Sequence, residues 1–294
     1  MGFLKRLVSR PDGGHGIDEL ARRLGMATEE LLAVRPLYRE FTIPKRAGGA
    51  RKITAPDPAL KAAQRRILRR LLSRLKCHPA ATGFERGQSI VTNARAHAGK
   101  AIVVHMDLEG FFPNTKADRV SKYFEKLGWG RAAANVLEGL CTYQGGLPQG
   151  APTSPRLSNL LNWRLDARLS GLAAKLGATY TRYADDITFS FPTDDPNVTH
   201  PVIGLTKHIV EQEGYRLHQR RKLHIRRRHD QQRVTGLVVN DRVDLPRKTR
   251  RWLRAVEHRA GTGGQPTLSP AQLGGWRALC AMIAKQSAGG PPPA

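Results

Sequence analysis

Two adjacent carboxylates, Asp185 and Asp186, follow Tyr183-Ala184 and lie between two runs rich in β-branched and aromatic residues, Ala178 to Tyr183 and Ile187 to Phe191. Such runs favour strands, so the acids are expected at the tip of a β-hairpin. Carboxylates held side by side repel one another, and a divalent cation offsets that repulsion. Mg²⁺ suits such a tip, because it takes hard oxygen ligands and completes its shell with water and phosphate, so one or two protein carboxylates suffice. Acid pairs also occur in solvated turns. Side chains alternate along a strand, so only turn geometry can aim both acids at one site.

A further acid shifts the balance. Ala101-Ile102-Val103-Val104-His105-Met106-Asp107 reads as a buried strand that ends on a carboxylate. Asp107 is then expected beside the hairpin tip. In two-metal phosphoryl transfer, ions roughly 3.5 to 4 Å apart clamp the attacking and leaving oxygens, a spacing that carboxylates from neighbouring strands can set. A strand-end acid in water is the competing reading, and six largely apolar residues before Asp107 weigh against it. Downstream, the Gly/Pro-rich segment Gly145 to Pro155 leads into a helical pattern through Leu157, Leu160, Leu161, Leu165 and Leu169. Ser154 is expected as N-cap and Pro155 at N1. Glycines let this loop approach a ligand closely, and Gln149 offers an amide to a nucleotide; a plain loop leading into a helix is the alternative.

Taken in order, these segments resemble a reverse transcriptase, and more narrowly the bacterial retron reverse transcriptases. The general pattern is carried by Phe41-Thr42-Ile43-Pro44-Lys45 with Arg51-Lys52-Ile53, Asp107 with Phe111-Phe112, Leu147-Pro148-Gln149-Gly150, Tyr183-Ala184-Asp185-Asp186, and Lys222. The retron character rests on Asn93-Ala94-Arg95-Ala96-His97, similar to an NAxxH element, and on Val234-Thr235-Gly236, similar to a VTG element. The resemblance implies that Asp107, Asp185 and Asp186 hold two Mg²⁺ ions, and that Lys45 and Arg51 grip the incoming triphosphate. It also makes Phe112 a steric gate against the ribose 2'-OH, and Lys222 the general acid to the leaving pyrophosphate, with a nonspecific phosphate contact within its basic run as the competing role. Asn93, His97, Thr235 and Gly236 become candidates for contact with RNA or primer, with Asn93 alternatively fixing a loop by hydrogen bonding and His97 alternatively a structural histidine.

The implied function is RNA-templated DNA synthesis from deoxynucleoside triphosphates. The implied partner is a cognate structured noncoding RNA, copied into a short DNA joined to it by a 2',5' branch, in antiphage defence beside an effector protein. Group II intron-like and diversity-generating reverse transcriptases are the nearest alternatives, and a non-catalytic RNA-binding scaffold is a third. The implied fold is an α+β right-hand polymerase: a helical lead-in over 1–40, fingers and an antiparallel-sheet palm over 41–245, a small helical thumb over 246–288, and a disordered tail over 289–294.

Composition agrees with a polyanionic partner. The chain of 294 residues carries 49 Lys and Arg against 24 Asp and Glu, a formal charge of +25. Between Tyr215 and Ala260 there are 15 basic residues and 4 acidic ones. Cys77, Cys141 and Cys280 are widely spaced, which supports neither a disulfide framework nor a zinc module. No apolar stretch approaches the roughly 20 residues of a spanning helix, and the start lacks a signal-like apolar core, so a cytoplasmic location is expected.

Other segments serve to position these residues. Ile17 to Leu24 and Thr28 to Leu37 suggest a helix pair broken at Gly25, either a DNA-reading unit or a packing cap. Asp57-Pro58 opens a helix with Leu60, Ala63, Ile67, Leu68, Leu71, Leu72 and Leu75 on one face. Leu223 to Ile225 and Val234 to Asn240 read as strands, Pro246 starts a basic helix, and Leu268 to Lys285 forms the last one. Phe112→Ala is expected to raise ribonucleotide incorporation relative to deoxynucleotide incorporation. A uniform fall in both would assign the ring to the core.

Overall fold

The computed structural model describes residues 14–44, 48–218, 223–262 and 267–287. The fold is α+β and divides into two compact units, one formed by the chain up to His78 with Glu109–Leu165, the other by Pro79–Leu108 with the chain from Asp166 onward.

In the first unit, strands β1 (Tyr38–Pro44) and β2 (Ala50–Pro56) form an antiparallel hairpin in which Ile43 faces Arg51. The helix Pro58–Ile67 follows at once. Its start is the one expected from Asp57-Pro58: the Asp57 carboxylate accepts from the Leu60 N–H at 2.7 Å, satisfying a donor that a helix end leaves open. Ile17–Leu24 and Thr28–Ala33 are separate helices, the second shorter than expected, divided at Gly25, whose φ of 64° is left-handed. Their apolar sides, Leu20, Leu24 and Leu31, are consumed by a core shared with Leu60, Ile67, Phe124 and Leu137. The pair therefore packs into this core. Ala117–Lys126 and Arg131–Cys141 supply the latter two residues.

The second unit is organised by a four-stranded antiparallel sheet of order β4-β5-β3-β6, where β3 is Ile102–Asp107, β4 Thr179–Tyr183, β5 Asp186–Phe191 and β6 His224–Arg227. One face carries Ile102, Val104 and Met106 of β3 opposite Phe191, Phe189 and Ile187 of β5, all nearly or fully buried. The segment expected as one strand from Val234 to Asn240 is instead a tiny hairpin, β7 (Arg233–Val234) and β8 (Leu237–Val238). Thr235 and Gly236 between them have φ of 48° and 85°, the two left-handed residues that a tight two-residue hairpin turn requires. A period-2 apolar pattern cannot reveal that reversal. The helices Arg247–Gly261 and Pro270–Ser287 follow, and they contribute Leu253, Val256, Leu273 and Ile283 to a core with Val91, Val103 and Val234.

Asn93 and His97, each open between a structural role and contact with RNA, are buried within the protein. Asn93 lies in the helix Ile90–Arg95 and His97 just beyond its end, and neither is accessible. The Asn93 side-chain oxygen accepts from the Thr82 hydroxyl at 2.7 Å. The His97 ring spans the sheet, with Nδ1 2.7 Å from Ser190 Oγ and Nε2 2.8 Å from Thr181 Oγ1, so both ring nitrogens are engaged by strands β5 and β4. Of the two roles considered for His97, geometry supports the structural one.

Burial, reinforced by the charges of Lys100 and His105, pushes the His97 imidazole down from 6.5 to about 3. The folded state therefore holds this ring neutral while an unfolded chain protonates it below pH 6.5. Folding stability is expected to fall as pH drops from about 6.5 towards 3, by at most about 1.4 kcal/mol per pH unit from this group. Urea midpoints of wild type and His97→Gln across that range check it. The variant should be less stable near neutrality but show the shallower acid decline.

Candidate active site

The site begins with a turn. Strands β4 and β5 close with Tyr183 facing Asp186, leaving Ala184 and Asp185 as a two-residue connection. Ala184 adopts a φ of 58°, a left-handed conformation that costs a residue with a Cβ about 1–2 kcal/mol. Neighbouring groups hold it there. The Leu108 N–H donates to the Asp185 carbonyl at 3.0 Å, and Arg182 Nη1 donates to the Ala184 carbonyl at 2.9 Å. Gly83 lies so close that a Cβ on it would stand 2.6 Å from the Ala184 nitrogen.

Register then brings the first acid alongside. Asp107 ends β3 directly opposite Asp186 of β5. Facing residues of neighbouring strands project to the same side with Cβ atoms about 4.5–5.5 Å apart. The Asp107 side chain is nearly buried, whereas that of Asp186 is about one-third exposed at 34%.

Two histidines that sequence reasoning left out stand against these acids. His218 holds Asp107 at two points: its N–H donates to the Asp107 carbonyl at 2.8 Å, and its Nε2 lies 3.3 Å from Asp107 Oδ1. His105 Nε2 lies 3.4 Å from Asp186 Oδ1. The position of His105, two residues before Asp107 on the same strand and so on the same face, was the signal available in the sequence. His218 is brought to Asp107 by chain reversal alone and has no such signal.

A groove of about 690 Å³ runs beside Asp186, lined by His105, His224, Arg226, Arg233, Thr235 and Gly236 among others. The His105 and His224 rings are stacked at 6.4 Å, and burial followed by the charges of His105 and Arg226 lowers the proton affinity of His224. The Thr235 hydroxyl donates to the Ile90 carbonyl at 2.7 Å, which anchors the β7–β8 turn at the edge of this groove. Asp107, Asp185, Asp186, Thr235 and Gly236 all belong to the second unit.

Arg51, Phe112 and Gln149 belong to the first unit. Arg51 is exposed on β2. Phe112, in the one-turn helix Phe111–Asn114, is half-buried against that unit's core. The Gln149 carbonyl accepts from the Thr54 N–H at 2.8 Å, so the Gln149 loop is tied to β2. Ser154 is not the N-cap: it lies in the first turn of the helix Ser154–Leu161, and its hydroxyl donates to the Pro148 carbonyl at 2.7 Å, fastening the loop from its other end. That helix stops at Asn162, and Trp163–Lys175 continues as a second one. Lys45 and Lys222 lie outside the described residues.

Among the described residues no three His, Cys, Asp or Glu side chains form a ready-made metal cage. The donor set nevertheless fits Mg²⁺, because facing carboxylates supply hard oxygens and this ion keeps several positions for water and phosphate. No helix among the described residues is long and apolar enough to cross a membrane.

Comparison with known proteins places this geometry in a family. Residues 43–238 match the family model described as reverse transcriptase (RNA-dependent DNA polymerase). Among curated relatives, the chain is 39% identical to the retron Mx162 reverse transcriptase of Myxococcus xanthus over 90% of its own length and 63% of the relative. It is 40% identical to the retron Mx65 enzyme of the same organism, covering 85% of this chain and 62% of that one. It is 35% identical to the retron Ec86 reverse transcriptase of Escherichia coli, covering 85% and 78%. The chain therefore spans somewhat under two thirds of the two Myxococcus relatives. In fold it is similar to a telomerase from Candida albicans solved with a fragment of telomeric RNA, at a TM-score of 0.50, 14% identity and coverage of 79% of this chain and 51% of that one. With the matched family model spanning both units and a retron relative covered over most of its length, the chain belongs to the reverse transcriptase family and, within it, to the retron reverse transcriptases.

Proposed function

We propose that this chain is an RNA-directed DNA polymerase that copies a cognate structured noncoding RNA into a short DNA. The observation that carries the reading is the facing pair Asp107 and Asp186, with Asp185 in the adjoining turn. Asp107, Asp185 and Asp186 would hold two Mg²⁺ ions, which supply a more acidic primer hydroxyl and charge stabilisation at the transferring phosphorus. His218 and His105 stand 3.3 and 3.4 Å from the Asp107 and Asp186 carboxylates. Arg226 and Arg233 give the neighbouring groove the positive charge that a nucleic-acid backbone requires.

Within this reading the β3–β6 sheet serves as palm, the β1–β2 segment as fingers, and Arg247–Gly261 with Pro270–Ser287 as thumb. Arg51 and Lys45 contact the triphosphate, Phe112 and Gln149 the nucleotide, and Lys222 protonates the leaving group. By the resemblance to retron enzymes, the product proposed is a DNA joined to RNA through a 2',5' branch, made in antiphage defence beside an effector protein.

The deciding experiment expresses the chain with its flanking genomic DNA and isolates short DNA. A branched, RNA-linked DNA is expected, and Asp185→Asn with Asp186→Asn should abolish it; the same product from both proteins would remove the carboxylates from the chemistry. A linear product would point instead to a different reverse-transcriptase type. Gly83→Ala retains every acid yet forces the Ala184 turn to move. It should lower the rate of synthesis by about tenfold or more and lower the melting temperature as well, since main-chain atoms of Tyr183 and Ala184 must move to admit the Cβ. Primer extension alongside thermal melting checks it.

A further inference from the structure

Beneath the turn, on the face of β4 opposite to the groove, Arg182 is wholly buried at 0% exposure. Its Nε and Nη2 donate to both carboxylate oxygens of Asp166 at 2.7 and 2.6 Å, and the Tyr180 hydroxyl donates to the same carboxylate at 2.8 Å. Asp166, in the helix Trp163–Lys175, is equally inaccessible. The main chain of Arg182 is secured as well, its N–H donating to the Ala80 carbonyl at 2.7 Å and its carbonyl accepting from the Thr82 N–H at 2.9 Å.

A buried ion pair is weak grounds for stability. Desolvating two charges is costly, and well-packed apolar residues of similar volume commonly serve a fold as well or better. An apolar pair, however, has no donor. The guanidinium is planar and rigid, so two bonds to Asp166 fix its plane and thereby the direction of Nη1. Nη1 is aimed at the carbonyl of Ala184, the left-handed residue between Tyr183 and Asp185.

We propose that the Asp166–Arg182 pair is a positioning device, setting the Ala184 turn and with it the directions of Asp185 and Asp186. The proposal deepens, and rests on, the function argued above. Asp166 anchors the guanidinium, Tyr180 completes the carboxylate's bonding, and the guanidinium fixes the turn. Neither charged group touches the reacting atoms.

The test compares the full chain with Arg182→Lys, which keeps a charge opposite Asp166 but cannot both bridge its carboxylate and reach Ala184. A second variant, Asp166→Leu with Arg182→Met, orphans no buried charge and carries the test if the lysine variant does not fold. Melting temperature, kcat, KM for a deoxynucleoside triphosphate on a primed RNA, and Mn²⁺ affinity of the free protein by electron paramagnetic resonance are measured. At a temperature well below each melting point, the expected result is a kcat lowered by about tenfold or more, with KM changed by less than about twofold and Mn²⁺ bound more weakly. A folded variant with kcat and Mn²⁺ affinity within about twofold of wild type overturns the positioning role. If wild type itself made no DNA on any primed RNA, the polymerase reading would fail, and the Mn²⁺ comparison alone would still decide this one.

Discussion

Side chains alternate along a strand, so sliding β3 by one residue against β5 would set Asp107 beside Ile187 and turn its carboxylate to the opposite face of the sheet. What prevents that slip is the packed face. Ile102, Val104 and Met106 meet Phe191, Phe189 and Ile187, and each such side chain contributes about 1.5–3 kcal/mol when buried. Two carboxylates about 5 Å apart at an effective dielectric near 20 repel by only about 3 kcal/mol. Hydrophobic burial therefore wins, and it holds two acids together that would otherwise separate. The acidity of the site is a consequence of packing on the other side of the sheet.

The polar interior of the second unit complements that constraint. His97 joins β4 to β5 through two hydroxyls, and Asn93 ties Thr82 to the short helix beneath them. The segment carrying Thr82 and Gly83 in turn embraces the end of β4. Buried polar groups are tolerated only when bonded, and once bonded they permit few alternative arrangements. The turn is thereby gripped from the side by Gly83, from below by Arg182 and across the sheet by Leu108. A conformation unfavourable for alanine persists because several independent contacts impose it.

Charge is distributed with a similar division of labour. The chain as a whole is strongly basic, with arginines lining the groove beside Asp186, whereas the carboxylates are gathered at one end of the sheet. A positive surface concentrates polyanions without reading their sequence. Under the proposed function, the acids would accept a phosphate neighbour only with a cation between them.

Much of this was legible in the residues. The strand ending at Asp107, the hairpin bearing Asp185 and Asp186, the helix opened by Asp57-Pro58 and the two last helices all follow from local periodicity and capping, which depend on near neighbours in the chain. Where local signals misled, a tertiary contact had intervened: Thr235-Gly236 reverses the chain within an apolar run, and Ser154 turns to the Pro148 carbonyl instead of capping. Composition and motif thus determined which residue types the molecule carries and which family they belong to. Only the assembled sheet decided that Asp107 faces Asp186, that His218 returns to Asp107, and that Arg182 and Asp166, 16 residues apart, underpin the turn. Those pairings depend on strand register and chain reversal, which are fixed by the burial of distant apolar residues and leave no local pattern in the sequence.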